Sequence, residues 1–123
     1  MRVLVVDDDP IVLASCRRVL ETKGFDVVTA ASVAAAIVET VSQGFGLVIV
    51  DLKMPERDGL QLVQKVQAWG KQVPVIVMSG YPTSETVLSS LSSGAFAFLP
   101  KPFTPDELIA VLQVVVPGEL REA

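Results

Sequence analysis

The chain has 123 residues, half of them hydrophobic and a fifth charged, with a net charge of −4. That length is one domain with room for a real core, since a chain of this size buries roughly two-thirds of its unfolded surface, and the composition is globular rather than disordered. The acidic balance argues against sequence-independent nucleic-acid binding, which needs a basic surface, though not against a DNA-binding domain elsewhere on a longer protein.

Short apolar runs alternate with helical patterns from end to end. The first strand is predicted at about 2–6 and stops at the acidic triplet Asp7-Asp8-Asp9. Asp9 can cap the first helix, with Pro10 at its opening position and Gly24 at its end. Ile11, Leu13, Ala14, Val19 and Leu20 carry the three- and four-residue spacings of a buried stripe. A second strand at about 25–30 leads to a helix from Val33 to Ser42, before Gly44. The third strand, about 46–51, ends in Asp51 and runs into the turn Leu52-Lys53-Met54-Pro55. The third helix, Leu60 to Trp69, is closed by Gly70 and turns Leu62, Val63 and Val66 inward. A fourth strand at about 73–78 is followed by Ser79, and a fourth helix, Ser84 to Ser93, stops at Gly94. The fifth strand, about 95–99, precedes Lys101, and Thr104-Pro105-Asp106-Glu107 opens the last helix with a capping box and a first-position proline.

The strands are rich in Val, Ile and Leu with little alternation, which suits parallel strands covered on both faces. Parallel strands joined by right-handed helical crossovers make an open α/β sheet, and five of them favour the doubly wound, flavodoxin-like order 2-1-3-4-5 with five helices. The domain is read as residues 1–117, with 118–123 a C-terminal tail or the start of a linker. Cys16 is the only cysteine, so no disulfide forms within the chain and a reducing compartment is the natural reading. The first apolar run is too short for a signal peptide, and no run approaches the ~18 residues of a membrane span, so the expected location is the cytoplasm. There is no histidine, which removes histidine bases, the commonest zinc ligand and any phosphohistidine relay on this chain.

Ligands of such sheets sit beyond the carboxyl ends of the strands, where the strand order reverses. Here that point lies between strands one and three, which carry Asp7, Asp8 and Asp51. Carboxylates brought within ~4 Å repel by a few kcal/mol per pair at an effective dielectric near 20. A cation must relieve this, and carboxylates plus water suit Mg²⁺, while Lys101 supplies one fixed positive charge. A carboxylate beside Mg²⁺ and a lysine can attack a phosphoryl group to give an acyl phosphate, with the two cations holding the charge on the transferring oxygens. Backbone N–H groups after Asp51 and Ser79 can cradle those oxygens, and Ser79 Oγ can donate to one of them. Each part alone has a plainer reading: the triplet as a turn and helix cap, Asp51 and Ser79-Gly80 as turn formers, Lys101 as a solvated charge, Pro102 as a strand stop. Against this stands their agreement, four unrelated positions on four strand ends of one sheet edge.

These residues resemble the receiver domain of two-component response regulators along essentially the whole chain. Val5-Val6-Asp7-Asp8-Asp9-Pro10 is similar to the family's acidic pair, and Asp51-Leu52-Lys53-Met54-Pro55 with Asp58-Gly59 to its phosphoacceptor segment. Ser79-Gly80 resembles the conformational hydroxyl, Lys101-Pro102-Phe103 the lysine and its proline, and Phe98 the aromatic rotamer switch. The resemblance implies that a sensor histidine kinase or phosphotransfer protein phosphorylates Asp51. It implies Mg²⁺ on Asp8, Asp51 and the carbonyl of Lys53, with Asp7 acting through water, and a cis Lys101-Pro102 bond. Ser79 and Lys101 would be drawn to the new oxygens, and Phe98 would turn inward, altering the face of helix four, strand five and helix five. No turnover beyond self-phosphorylation and autodephosphorylation is implied, and the output is a partner or linked domain, as in a transcriptional regulator or hybrid kinase. Neither direct nucleic-acid binding nor a membrane is implied, and a phosphorylation-dependent dimer is allowed.

Departures bear on that output. Ala97 and Val111 stand where the winged-helix subfamily places charges across a dimer face, so an ion-pair dimer is not expected. Phe96, Val111, Val114 and Val115 make the last strand and helix apolar, either as core packing or as a partner surface. Met78-Ser79-Gly80-Tyr81 with Glu85-Thr86 is closer to receivers of nitrogen-regulation-type activators or hybrid kinases. Two competing readings remain, a phosphorylation-independent interaction module on the same fold and a phosphohydrolase using the Asp7-x-Asp9 spacing. Pro10 and Ile11 stand where the latter wants a threonine. Flavin or nucleotide binding lacks its glycine-rich first loop.

Overall fold

The computed structural model describes residues 1–52, 59–68, 72–80 and 83–121. Strands β1 (Arg2–Val6), β2 (Asp26–Ala30), β3 (Leu47–Asp51), β4 (Val75–Ser79) and β5 (Ala97–Pro100) alternate with helices α1 (Pro10–Thr22), α2 (Val33–Ser42), α3 (Gly59–Ala68), α4 (Ser84–Ser92) and α5 (Pro105–Val115). The strands form one parallel sheet in the order β2-β1-β3-β4-β5. This is the doubly wound arrangement expected from the sequence.

Local chemistry sets the element ends. Asp9 accepts the Ile11 N–H at the start of α1, and Thr104 and Glu107 form the reciprocal capping box of α5. Gly24 closes α1 with φ +89°, a conformation that disfavours side chains. β2 begins at Asp26 rather than 25, because the Phe25 N–H is spent on Leu20 C=O in closing the helix. β5 begins at Ala97 for the same reason: Ala95 N–H bonds Ser90 C=O across the end of α4. β4 begins at Val75, after a proline that has no N–H to offer the ladder.

Two apolar clusters lie on the two faces of the sheet. One gathers Val3, Val5, Ile49 and Met78 with Cys16 and Leu20 of α1 and Leu108 and Leu112 of α5. The other gathers Leu4, Val48, Val50 and Val77 with Val33 and Ala36 of α2 and Leu62, Val63 and Val66 of α3. The inward face read for the third helix is the one observed, though Trp69 and Gly70 lie outside the described residues. The stripe read for α1 needs correction: Ile11 is 74% exposed and Ala14 is exposed. The buried line runs instead through Cys16 and Leu20, flanked by Val12, Leu13 and Val19. After α5 the chain turns back, with Leu120 packing against the first cluster and Arg121 N–H bonding Lys23 C=O at 2.7 Å. Among the described residues no helix is long and apolar enough to cross a membrane.

Candidate functional site

The residues at the carboxyl ends of β1, β3, β4 and β5 meet at one edge. The parallel register places Val6 beside Val50, Asp51 beside Met78, and Ser79 beside Pro100. Asp7 and Asp8 leave β1, Asp51 ends β3, Ser79 ends β4, and Lys101 follows β5. Asp7 and Ser79 are fully buried and Asp51 nearly so, whereas Asp8 is exposed. Oxygens of Asp7, Asp8 and Asp51 lie within 4.8 Å of one another.

Asp7 is held from both sides. Its Oδ1 accepts the Asp9 N–H at 2.9 Å, and its Oδ2 faces Lys101 Nζ at 2.6 Å. The same ammonium stands 3.3 Å from Asp51 Oδ2. The backbone aims the lysine, since Lys101 N–H donates to Ser79 C=O at 2.8 Å; the Lys101–Pro102 bond that follows is cis. Burial alone would lower the Lys101 pKa, but the hydrogen bond and charge of Asp7, followed by Asp51, reverse this and leave it raised. Lys101 therefore stays charged, and it offsets only part of the repulsion among three acids.

Cys16, buried in the first apolar cluster, lies within the field of these charges. Burial, then the Asp7 charge, pushes its thiol from 9.0 up to about 11, with Lys101 opposing. A thiol so held is inert. The sequence offered no signal of this proximity, because the only link is the packing of α1 on the sheet.

Phe98 is half-buried, paired with Val77 and packed against the second cluster. Lys53 and Tyr81 lie outside the described residues. The apolar stretch around Phe96 divides: Val111, Val115 and Ala97 pack against the core, whereas Phe96 is 57% and Val114 71% exposed. Core packing thus accounts for part of that stretch and not the rest.

Among the described residues, converging carboxylates with one ammonium, and neither histidine nor an accessible thiol, favour a hard dication. The donor set fits Mg²⁺.

The family model described as the response regulator receiver domain matches residues 3–113, and the chain belongs to that family. Among curated proteins it is 37% identical over 115 residues to the transcriptional regulatory protein PrrA of Mycobacterium tuberculosis, covering 94% of this chain and 49% of that one. It is 36% identical to the swarming motility regulation protein RssB of Serratia marcescens, covering 94% and 52%. The chain thus spans about half the length of the curated relatives it matches. Among solved structures, chemotaxis protein CheY4 of Vibrio cholerae superposes with a TM-score of 0.89 at 29% identity, covering 94% and 98% of the two chains. Response regulator TrrA of Thermotoga maritima, solved in complex with Mg²⁺-BeF, gives a TM-score of 0.83 at 29% identity, covering 94% and 98%. Receiver domains bind Mg²⁺ at an acidic pocket, and this chain carries the corresponding aspartate cluster.

Proposed function

We propose that Asp51 is the phosphoacceptor of a signalling receiver whose donor is a sensor histidine kinase or a phosphotransfer protein. The observation that carries this reading is the Lys101 ammonium bridging Asp7 and Asp51 at 2.6 and 3.3 Å. A carboxylate beside a fixed cation keeps its charge, and the same cation then faces the oxygens of an incoming phosphoryl group. An Asp51 oxygen attacks phosphorus and the new O–P bond forms as the donor P–N bond breaks. The leaving imidazole takes a proton from solvent and departs neutral.

Asp8, Asp51 and the carbonyl of Lys53 would hold Mg²⁺, with Asp7 acting through water. Bound there, the ion neutralises charge on the transferring oxygens. Ser79, buried at the end of β4, donates its hydroxyl to one of those oxygens. Phe98 then turns inward, which alters the α4-β5-α5 face for an output domain, a partner or a second copy. The domain works in the cytoplasm and catalyses nothing beyond its own phosphorylation and dephosphorylation.

Mass spectrometry after incubation with acetyl phosphate and Mg²⁺ tests the acceptor. The wild type gains one phosphoryl group, roughly 80 Da, and Asp51→Ala gains none. An adduct that persists in the variant would overturn the assignment.

A further inference from the structure

We infer that Gly59 is a positioning residue for the Asp51 carboxylate, acting through the absence of a side chain. The inference rests on the reading of Asp51 as the acceptor. β3 ends at Asp51, and the next N–H, that of Leu52, is bonded to Met78 C=O at 3.0 Å. Gly59 opens α3, is buried, and donates its own N–H to Leu52 C=O at 3.0 Å. Residues 51–52 and 59 are thus held together by backbone hydrogen bonds, forming a closed neck.

No Cβ fits in that neck. One built on Gly59 would overlap the Asp51 carbonyl oxygen and stand 3.1 Å from both the Asp51 carbonyl carbon and Leu52 Cα. All three neighbours are backbone, so no side chain can swing aside. Gly59 does not take up a positive φ, unlike Gly24 and Gly94. Space alone excludes a side chain here.

Neither wall of the neck is free to retreat. β3 is paired with β1 from Leu47 to Val50 and with β4 from Val48 to Asp51, and α3 is anchored through buried Leu62, Val63 and Val66. A methyl group at 59 therefore drives the Asp51–Leu52 peptide, the start of α3, or both. Asp51 carries its carboxylate 3.3 Å from Lys101 Nζ and within 4.8 Å of the other two acids. That geometry tolerates little movement, and misplacement of a reacting group by about 1 Å costs on the order of 100-fold in rate.

The test compares Gly59→Ala with Leu62→Ala, which loosens α3 from its buried face without touching the neck. Phosphorylation by acetyl phosphate is followed at saturating Mg²⁺ and donor, with urea midpoints measured in parallel. The expected result is a ~10–100-fold slower maximal rate for Gly59→Ala, and a rate within about twofold of wild type for Leu62→Ala although its midpoint also falls. Should Gly59→Ala be unfolded in buffer, the same rates are taken in trimethylamine N-oxide, which favours the compact state. A Gly59→Ala rate close to wild type overturns the inference, as does an equal slowing by Leu62→Ala. A wild type that forms no adduct at all overturns instead the reading of Asp51 on which this rests.

Discussion

Replacement of Lys101 by Met keeps most of the side-chain stem and removes the charge between two buried acids. At an effective dielectric near 20, contacts at 2.6 and 3.3 Å correspond to gross attractions of about 6 and 5 kcal/mol. The net is smaller because the ammonium is itself drawn out of water. Breaking a buried pair from one side costs about 3–5 kcal/mol, and with a fifth of the Lys101 side chain exposed the lower end applies, about 3 kcal/mol. That deficit is specific to the metal-free state. Saturating Mg²⁺ supplies the missing positive charge, so the deficit should shrink to about 1 kcal/mol, equivalent to roughly thirtyfold tighter Mg²⁺ binding by the variant. Urea unfolding of wild type and Lys101→Met, each in EDTA and in saturating Mg²⁺, reads all four corners of this cycle. Equal deficits in the two conditions would mean that Lys101 and the dication do not share these carboxylates, and the electrostatic account of the site would fail.

Cys16 gives a pH dependence of definite sign. Its thiol keeps the proton up to about 11 when folded, whereas the unfolded chain releases it near 9.0. Stability is therefore lost as pH rises through that window, by about 2–3 kcal/mol more in wild type than in Cys16→Ala; parallel pH profiles of the urea midpoint would refute this. At the other end of α1, Leu120 packs against the core and Arg121 bonds Lys23. Leu120→Ala should cost about 1–2 kcal/mol and speed hydrogen exchange at the Arg121 amide. If it does neither, residues 118–121 are an unattached tail.

Most of the fold was legible because punctuation and periodicity agreed along the chain. Asp9-Pro10, Thr104-Pro105 and the glycines at 24 and 94 bracket helices, and the runs between them are dense in Val and Ile. The errors sit where a helix and a strand compete for one backbone N–H. Phe25 and Ala95 belong to strands by composition, yet each N–H closes the preceding helix. The Ile11 error has another cause. Spacing fixes which residues share a stripe but not the phase of the stripe, and α1 is apolar enough at 11, 12 and 13 to permit either choice. Packing between the sheet and α5 selects the phase through Cys16 and Leu20. The last helix poses the same difficulty, as Val111, Val114 and Val115 read alike while only Val114 is turned out.

The site divides along a different line. Asp7, Asp8, Asp51, Ser79 and Lys101 could be found in the sequence because each carries a functional group at a strand end, and a parallel sheet brings strand ends together whatever the details of packing. Gly59 and Cys16 carry no such mark. A glycine after an aspartate reads as a turn, and only the approach of one backbone to another, within contact of the Asp51 carbonyl, makes it a constraint on the position of Asp51. A cysteine at mid-helix reads as a small apolar residue, and only the packing of α1 on the sheet brings it into the field of Asp7 and Lys101. What sequence conveys well is therefore the identity of the charges, and what it conveys poorly is the clearance that fixes their separation. The Coulomb energy of Lys101 with its two acids varies inversely with distance, so opening the 3.3 Å contact with Asp51 by about 1 Å would remove nearly a quarter of the gross attraction between those two groups. A residue with no side chain thus bears on the electrostatics of Asp51, by about a quarter of what loss of the Lys101 charge would remove.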